Sequence, residues 1–166
     1  LMLITFITTG GTIDKVYFDA KSAYEVGETV IEHVLRQGEV GFDYRITPLM
    51  RKDSLDLTER DRLRIRQAVE TVEGDRVVIT HGTDTMVDTA RSLAGLSGKV
   101  IVLTGSLSPA RFQGSDADFN IGLAVAAVQS LPAGVYIAMN GLIFDAHKVR
   151  KNREANRFEY LSDPSN

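Results

Sequence analysis

The sequence predicts a layered α/β/α domain built on a mostly parallel sheet. Three observations carry that expectation: five short apolar runs bounded by turn residues, helical periodicity between them, and continuous Val/Ile/Leu content within the runs. Continuous rather than alternating apolar residues suit strands covered on both faces. The runs fall at residues 2–8, 45–49, 76–80, 99–104 and 135–140. Residues 11–27 contain Val16, Tyr17 and Phe18 followed by small and polar residues, the pattern of a hairpin or a flap. Val30, Ile31, Val34 and Leu35 form the stripe of a first helix, and Ile65, Ala68, Val69 and Val72 repeat at i, i+3, i+4, i+7 in a second. Thr58 is placed to cap that second helix, with Glu59 and Asp61 in its first turn. A third helix is expected over residues 84–94, turning Met86, Val87, Ala90 and Ala94 to the sheet, and an alanine-rich fourth over 116–129. The charged stretch after Lys148 reads as a surface tail. With right-handed crossovers, this order gives a flavodoxin- or Rossmann-like topology.

The 166 residues, 43% apolar and 25% charged, describe one globular domain spanning residues 1–166. Such a chain hides roughly 70% of its unfolded surface without needing a covalent staple. Nineteen Lys and Arg against 22 Asp and Glu leave no basic excess for a phosphate backbone, so nucleic acid is not an expected partner. A polybasic membrane patch is missing as well. The absence of cysteine excludes a disulfide scaffold and a thiol nucleophile. The first apolar run is too short for a signal-peptide core and lacks a basic flank, which makes the cytoplasm the expected compartment.

Open α/β sheets bind ligands beyond the carboxyl ends of their strands, so the chemistry is sought in the loops that follow each run. The first ends in Thr8-Thr9-Gly10-Gly11-Thr12, the second in Arg51-Lys52-Asp53-Ser54, the third in His81-Gly82-Thr83-Asp84-Thr85, and the fourth in Gly105-Ser106. The first loop reads as a close-packing turn or as a nucleophile loop. Its spacing matches neither phosphate-binding glycine motif. A threonine hydroxyl attacks poorly until a neighbouring base takes its proton. Thr83 beside Asp84 is either a helix cap or part of such a base system, and Lys151 is the amine that would complete it. Nothing in composition distinguishes Lys151 from Lys148 or any solvated lysine. His81 reads as a packed, hydrogen-bonded histidine. His33 and His147 show no ligand spacing with it, so neither a metal nor another cofactor is expected.

Thr8-Thr9-Gly10-Gly11-Thr12-Ile13 and His81-Gly82-Thr83-Asp84-Thr85-Met86 together resemble the two signatures of the bacterial-type L-asparaginases. Ala23-Tyr24-Glu25-Val26-Gly27, Asp53-Ser54, Gly114-Ser115-Asp116 and Phe119-Asn120 follow in that family's order. The resemblance covers nearly the whole chain and corresponds to the family's N-terminal domain. It implies a short-chain member without the C-terminal domain. It further implies hydrolysis of L-asparagine to L-aspartate and ammonia through a threonine acyl-enzyme. Thr12 matches the usual nucleophile and Tyr24 the flap tyrosine. Thr83, Asp84 and Lys151 match the second-threonine triad. Ser54 matches the residue that holds the substrate α-carboxylate, Asp84 also receives the α-ammonium, and Ser106 falls where a backbone carbonyl meets the leaving amide. Gly11, Asp53 and Gly82 complete the implied substrate-binding set, and a homo-oligomer is the implied assembly.

The sequence departs from the family in three places, and the first two bear on specificity and affinity. The acidic residue that a neighbouring family subunit brings to the ammonium has no counterpart, Leu55 stands where a glutamine is usual, and no basic residue precedes Pro109. Weak asparagine binding is the expectation, since a charge-assisted hydrogen bond contributes about 1.5 to 3 kcal/mol. The competing readings are a glutaminase or amidotransferase-type amide hydrolase, and an amino-acid sensor without catalysis.

Overall fold

Strand residues at the centre of the chain are apolar on both faces, and they form the middle of a six-stranded sheet. The computed structural model describes residues 2–15 and 30–161. In chain order the elements are β1 (Leu3–Thr8), α1 (Val30–Gln37), β2 (Asp43–Pro48), α2 (Glu59–Thr71), β3 (Arg76–Thr80), α3 (Met86–Ser92), β4 (Val100–Thr104), α4 (Ala117–Ser130), β5 (Gly134–Met139), β6 (Leu142–Asp145), β7 (Val149–Asn152) and β8 (Arg157–Tyr160). The sheet order is β2-β1-β3-β4-β5-β6. Strands β1 to β5 run parallel, and β6 turns back antiparallel on β5. This is the flavodoxin-like order extended by one strand, and its direction of winding reverses between β1 and β3.

Alternate residues of each central strand serve opposite layers. Val77 and Ile79 point into a core shared with Ile65 and Val69 of α2 and Met86 and Ala90 of α3. Val78, between them, joins the other core, with Ile31 and Leu35 of α1 and Ile121, Ala124 and Val128 of α4. The expected α/β/α layering is therefore present, with α2 and α3 on one face and α1 and α4 on the other.

Helix α2 begins as its sequence predicts. The Thr58 hydroxyl accepts from Asp61 N at 3.2 Å, while the Asp61 carboxylate accepts from Thr58 N at 3.0 Å, a reciprocal cap. Helix α3 is shorter than expected at both ends, because Thr85 lies outside helical geometry and Leu93 closes the last turn. Two-sided burial fails at one edge: β2 alternates between exposed and half-buried residues because only β1 pairs with it. The segment after Lys148 is not a surface tail. It folds into the β7–β8 hairpin, whose Val149 and Phe158 are buried in the α2/α3 core. The segment containing Tyr24 lies outside the described residues.

Candidate active site

Glycine lets the strand-end loops close on one another. Gly11 has φ 90°, and a Cβ there would collide with the Gly82 backbone. A Cβ on Gly82 would in turn sit 2.7 Å from the Ser54 Cβ. The loops after β1, β2 and β3 thus meet backbone to backbone, as close approach without side chains allows. Thr9 ties them further, its amide and hydroxyl both donating to Thr80 O at 3.1 and 2.8 Å while its carbonyl accepts from Lys52 N at 3.0 Å.

Thr12 starts a short 3-10 turn, Thr12–Asp14, directly beyond these glycines and is half-buried. On the β3 side, Thr83 and Asp84 face the hairpin. Lys151 Nζ donates to Thr83 Oγ1 at 2.8 Å and to Asp84 Oδ1 at 2.7 Å. The Lys151 side chain is only 9% exposed, so its ammonium is held by these contacts rather than by water. The hydrogen bond from Lys151 is the main reason the Asp84 carboxyl lies below the usual carboxylate range; burial works in the other direction. The structure therefore gathers Thr83, Asp84 and Lys151, residues 67 and 68 positions apart in the chain.

The remaining predicted residues support the loops. Ser54 is 2% exposed, its hydroxyl accepting from Thr85 N at 3.3 Å and its carbonyl from the Thr85 hydroxyl at 2.7 Å. That arrangement leaves the Ser54 hydroxyl proton for another acceptor. Asp53 caps the 3-10 turn Ser54–Asp56 by accepting from Leu55 N at 3.0 Å, and it meets Lys15 at 3.8 Å, so its carboxylate is already engaged. Ser106 is buried, with its hydroxyl donating to Ser108 O at 2.5 Å. His81 is fully buried. Its Nδ1 lies 2.6 Å from Gly82 O, which can only accept, so Nδ1 carries the proton and Nε2 accepts from the Thr89 hydroxyl at 2.8 Å. Burial lowers its pKa to about 4, in keeping with a packed histidine.

Sequence reasoning named Asp116 and Asn120 without a role and missed Arg153. Asp116 and Asn120 hold the loop after β4: the Asp116 carboxylate accepts from Leu107 N at 3.0 Å and Ser108 N at 3.1 Å, and Asn120 Nδ2 donates to Gly105 O and Asp116 Oδ2, both at 2.9 Å. Their spacing of four on a helix was the available signal. Arg153 was missed entirely, and its Nη2 lies 3.4 Å from Asp84 Oδ1. It stands two residues beyond Lys151, in the turn that joins β7 to β8.

A hydroxyl, a carboxylate and a lysine gathered at the switch point of a flavodoxin-like sheet define the class of α/β protein present here. The family model described as "Asparaginase, N-terminal" matches residues 3–165, and the chain belongs to the asparaginase family. It is 32% identical over 160 residues to a protein of Haemophilus influenzae described as a probable periplasmic L-asparaginase, covering 89% of this chain and 46% of that one. It is 29% identical to a glutaminase-asparaginase of Acinetobacter glutaminasificans, covering 96% and 52%. The solved thermostable L-asparaginase of Thermococcus kodakarensis superposes with a TM-score of 0.80 at 26% identity, over 98% of this chain and 52% of that one. The chain spans about half the length of these relatives. Among the described residues no helix is long and apolar enough to cross a membrane.

Proposed function

We propose that this chain is an amidohydrolase that converts L-asparagine to L-aspartate and ammonia through a threonine ester. The observation that carries the reading is the Lys151 ammonium bridging the Thr83 hydroxyl and the Asp84 carboxylate within hydrogen-bond distance. In the cycle we propose, the Thr12 oxygen attacks the side-chain amide carbon while its proton is drawn away. The carbon–nitrogen bond breaks, the proton passes to the departing nitrogen, and ammonia leaves. Water activated by Thr83 then cleaves the ester and releases aspartate. Lys151 in its amine form accepts the Thr83 proton as Thr83 takes one from the attacking water, the proton returns to the Thr12 oxygen as the ester bond breaks, and Asp84 keeps the amine in place. The N–H groups of Thr12 and Thr83 are suited to the oxyanion, the Ser54 hydroxyl to the α-carboxylate, the Asp84 carboxylate to the α-ammonium, and the carbonyl of Ser106 to the leaving amide. We assign Tyr24 to cover the site, and a homo-oligomer in the cytoplasm is part of the proposal.

Glutamine is the second substrate to consider, because one relative is described as a glutaminase-asparaginase. One methylene discriminates by about 1 to 3 kcal/mol. Ammonia release by the wild type and Thr12→Ala, each with both amino acids at millimolar concentration, tests the reading. We expect release by the wild type, at least tenfold faster with asparagine, and loss of release in the folded variant. Release undiminished in Thr12→Ala would remove that residue from the chemistry.

A further inference from the structure

Arg153 performs no task in the hydrolysis proposed above, yet its guanidinium reaches the same oxygen of Asp84 that Lys151 holds, at 3.4 Å against 2.7 Å. A substrate ammonium offered to Asp84 therefore meets a carboxylate already attended by two cations. Its attraction is weakened and Arg153 repels it. A cleft of about 280 Å³ opens beside Asp84, between α3 and the β7–β8 hairpin, lined by Val87, Arg91, Arg150, Arg153 and Leu161. Arg150 is paired with Glu159, and Arg91 Nε donates to Ala146 O at 3.3 Å. The terminal nitrogens of Arg91, and the part of the exposed Arg153 guanidinium turned away from Asp84, are available to meet a ligand.

We propose that Arg153 turns this site toward amides whose α-nitrogen bears no charge: asparagine acylated on that nitrogen, with an acyl arm ending in a carboxylate. Acylation removes the repulsion from Arg153. The apolar stem of the arm suits Val87 and Leu161, and its carboxylate suits the planar guanidinium groups of Arg91 and Arg153. The reaction itself is unaltered: water cleaves the side-chain amide, ammonia leaves, and the acyl bond stays intact. This inference rests on the amidohydrolase reading.

The test compares initial ammonia release from L-asparagine, N-acetyl-L-asparagine and N-succinyl-L-asparagine by the wild type, Arg153→Gln and Arg91→Gln, with folding checked by melting. For the wild type we expect kcat/KM to be highest with the succinyl compound and lowest with free asparagine. Arg153→Gln should lower the KM for asparagine about fivefold, the scale of an exposed charge interaction. Each arginine variant should reduce the preference for succinyl over acetyl about tenfold, the scale of one charge-assisted hydrogen bond. Raising salt should narrow the difference in asparagine KM between the wild type and Arg153→Gln, which a merely structural role would not produce. An unchanged asparagine KM in folded Arg153→Gln, or a wild type that favours free asparagine, overturns the inference and leaves the amidohydrolase reading standing. Ammonia released from none of the three amides by the wild type overturns both.

Discussion

His81 and Asp14 belong to the loops that meet at Gly11 and Gly82, and burial displaces them in opposite directions. The His81 pKa falls from 6.5 to about 4, chiefly because burial disfavours its charged form. That of Asp14 rises from 3.8 to about 6, again chiefly through burial, with Arg51 acting to lower it. For His81 the folded value lies below the unfolded one, so the unfolded chain binds the extra proton; stability present above pH 6.5 is lost as pH falls toward 4. Asp14 has the reverse sign. Its ionised form costs stability above pH 6, and that cost is relieved as pH falls from 6 to 3.8. We expect Asp14→Asn to stabilise the fold by about 2 kcal/mol at pH 7.5 and to give no gain below pH 4. His81→Gln should lose stability at pH 7.5 but vary less between pH 6.5 and 4. Urea unfolding across this range measures both, and a benefit of Asp14→Asn that does not change with pH would contradict the account.

Individual elements differ in how plainly their residues announce them. The reciprocal bonds between Thr58 and Asp61 make the start of α2 a local matter. Thr58→Ala should therefore cost about 1 kcal/mol in urea unfolding. The β7–β8 hairpin depends instead on a distant core: Phe158 is 2% exposed, and its amide donates to Asn140 Oδ1 at 2.7 Å. Phe158→Ala should cost about 3 to 5 kcal/mol and release the strand that carries Lys151, reducing ammonia release even at temperatures where the sheet persists. Retained activity in that variant would show that the lysine is held by its own contacts. The same contrast explains what was legible in the sequence. Helices α1 and α2 and the central strands repeat apolar residues at their own period, so they can be read. Strands β7 and β8 offer one buried apolar residue each, Val149 and Phe158, among charged and polar residues, and no periodicity survives. Strand β2 was legible as a strand but not as an edge, because sheet order is set by pairing between segments far apart in sequence.

Across the whole molecule, the winding of the sheet turns separate loops into one site. Reversal between β1 and β3 sets the loops after those strands beside each other, and the hairpin crosses the α2/α3 face to deliver Lys151. Loop chemistry could be read because Gly10-Gly11-Thr12 and Gly82-Thr83-Asp84 each follow a recognisable strand. The identity of the lysine could not be derived from composition, since Lys148 and Lys151 differ only in which side of the hairpin faces Asp84. Arg153 stayed hidden for the same reason. The most direct test of the central claim, that a bridged threonine, aspartate and lysine hydrolyse a side-chain amide, is ammonia release from asparagine by wild type, Thr83→Ala and Lys151→Met proteins of equal melting behaviour. We expect steady release by the wild type and a loss of at least about a hundredfold in each variant, the scale of positioned acid–base catalysis. Folded Lys151→Met hydrolysing asparagine at the wild-type rate would contradict it.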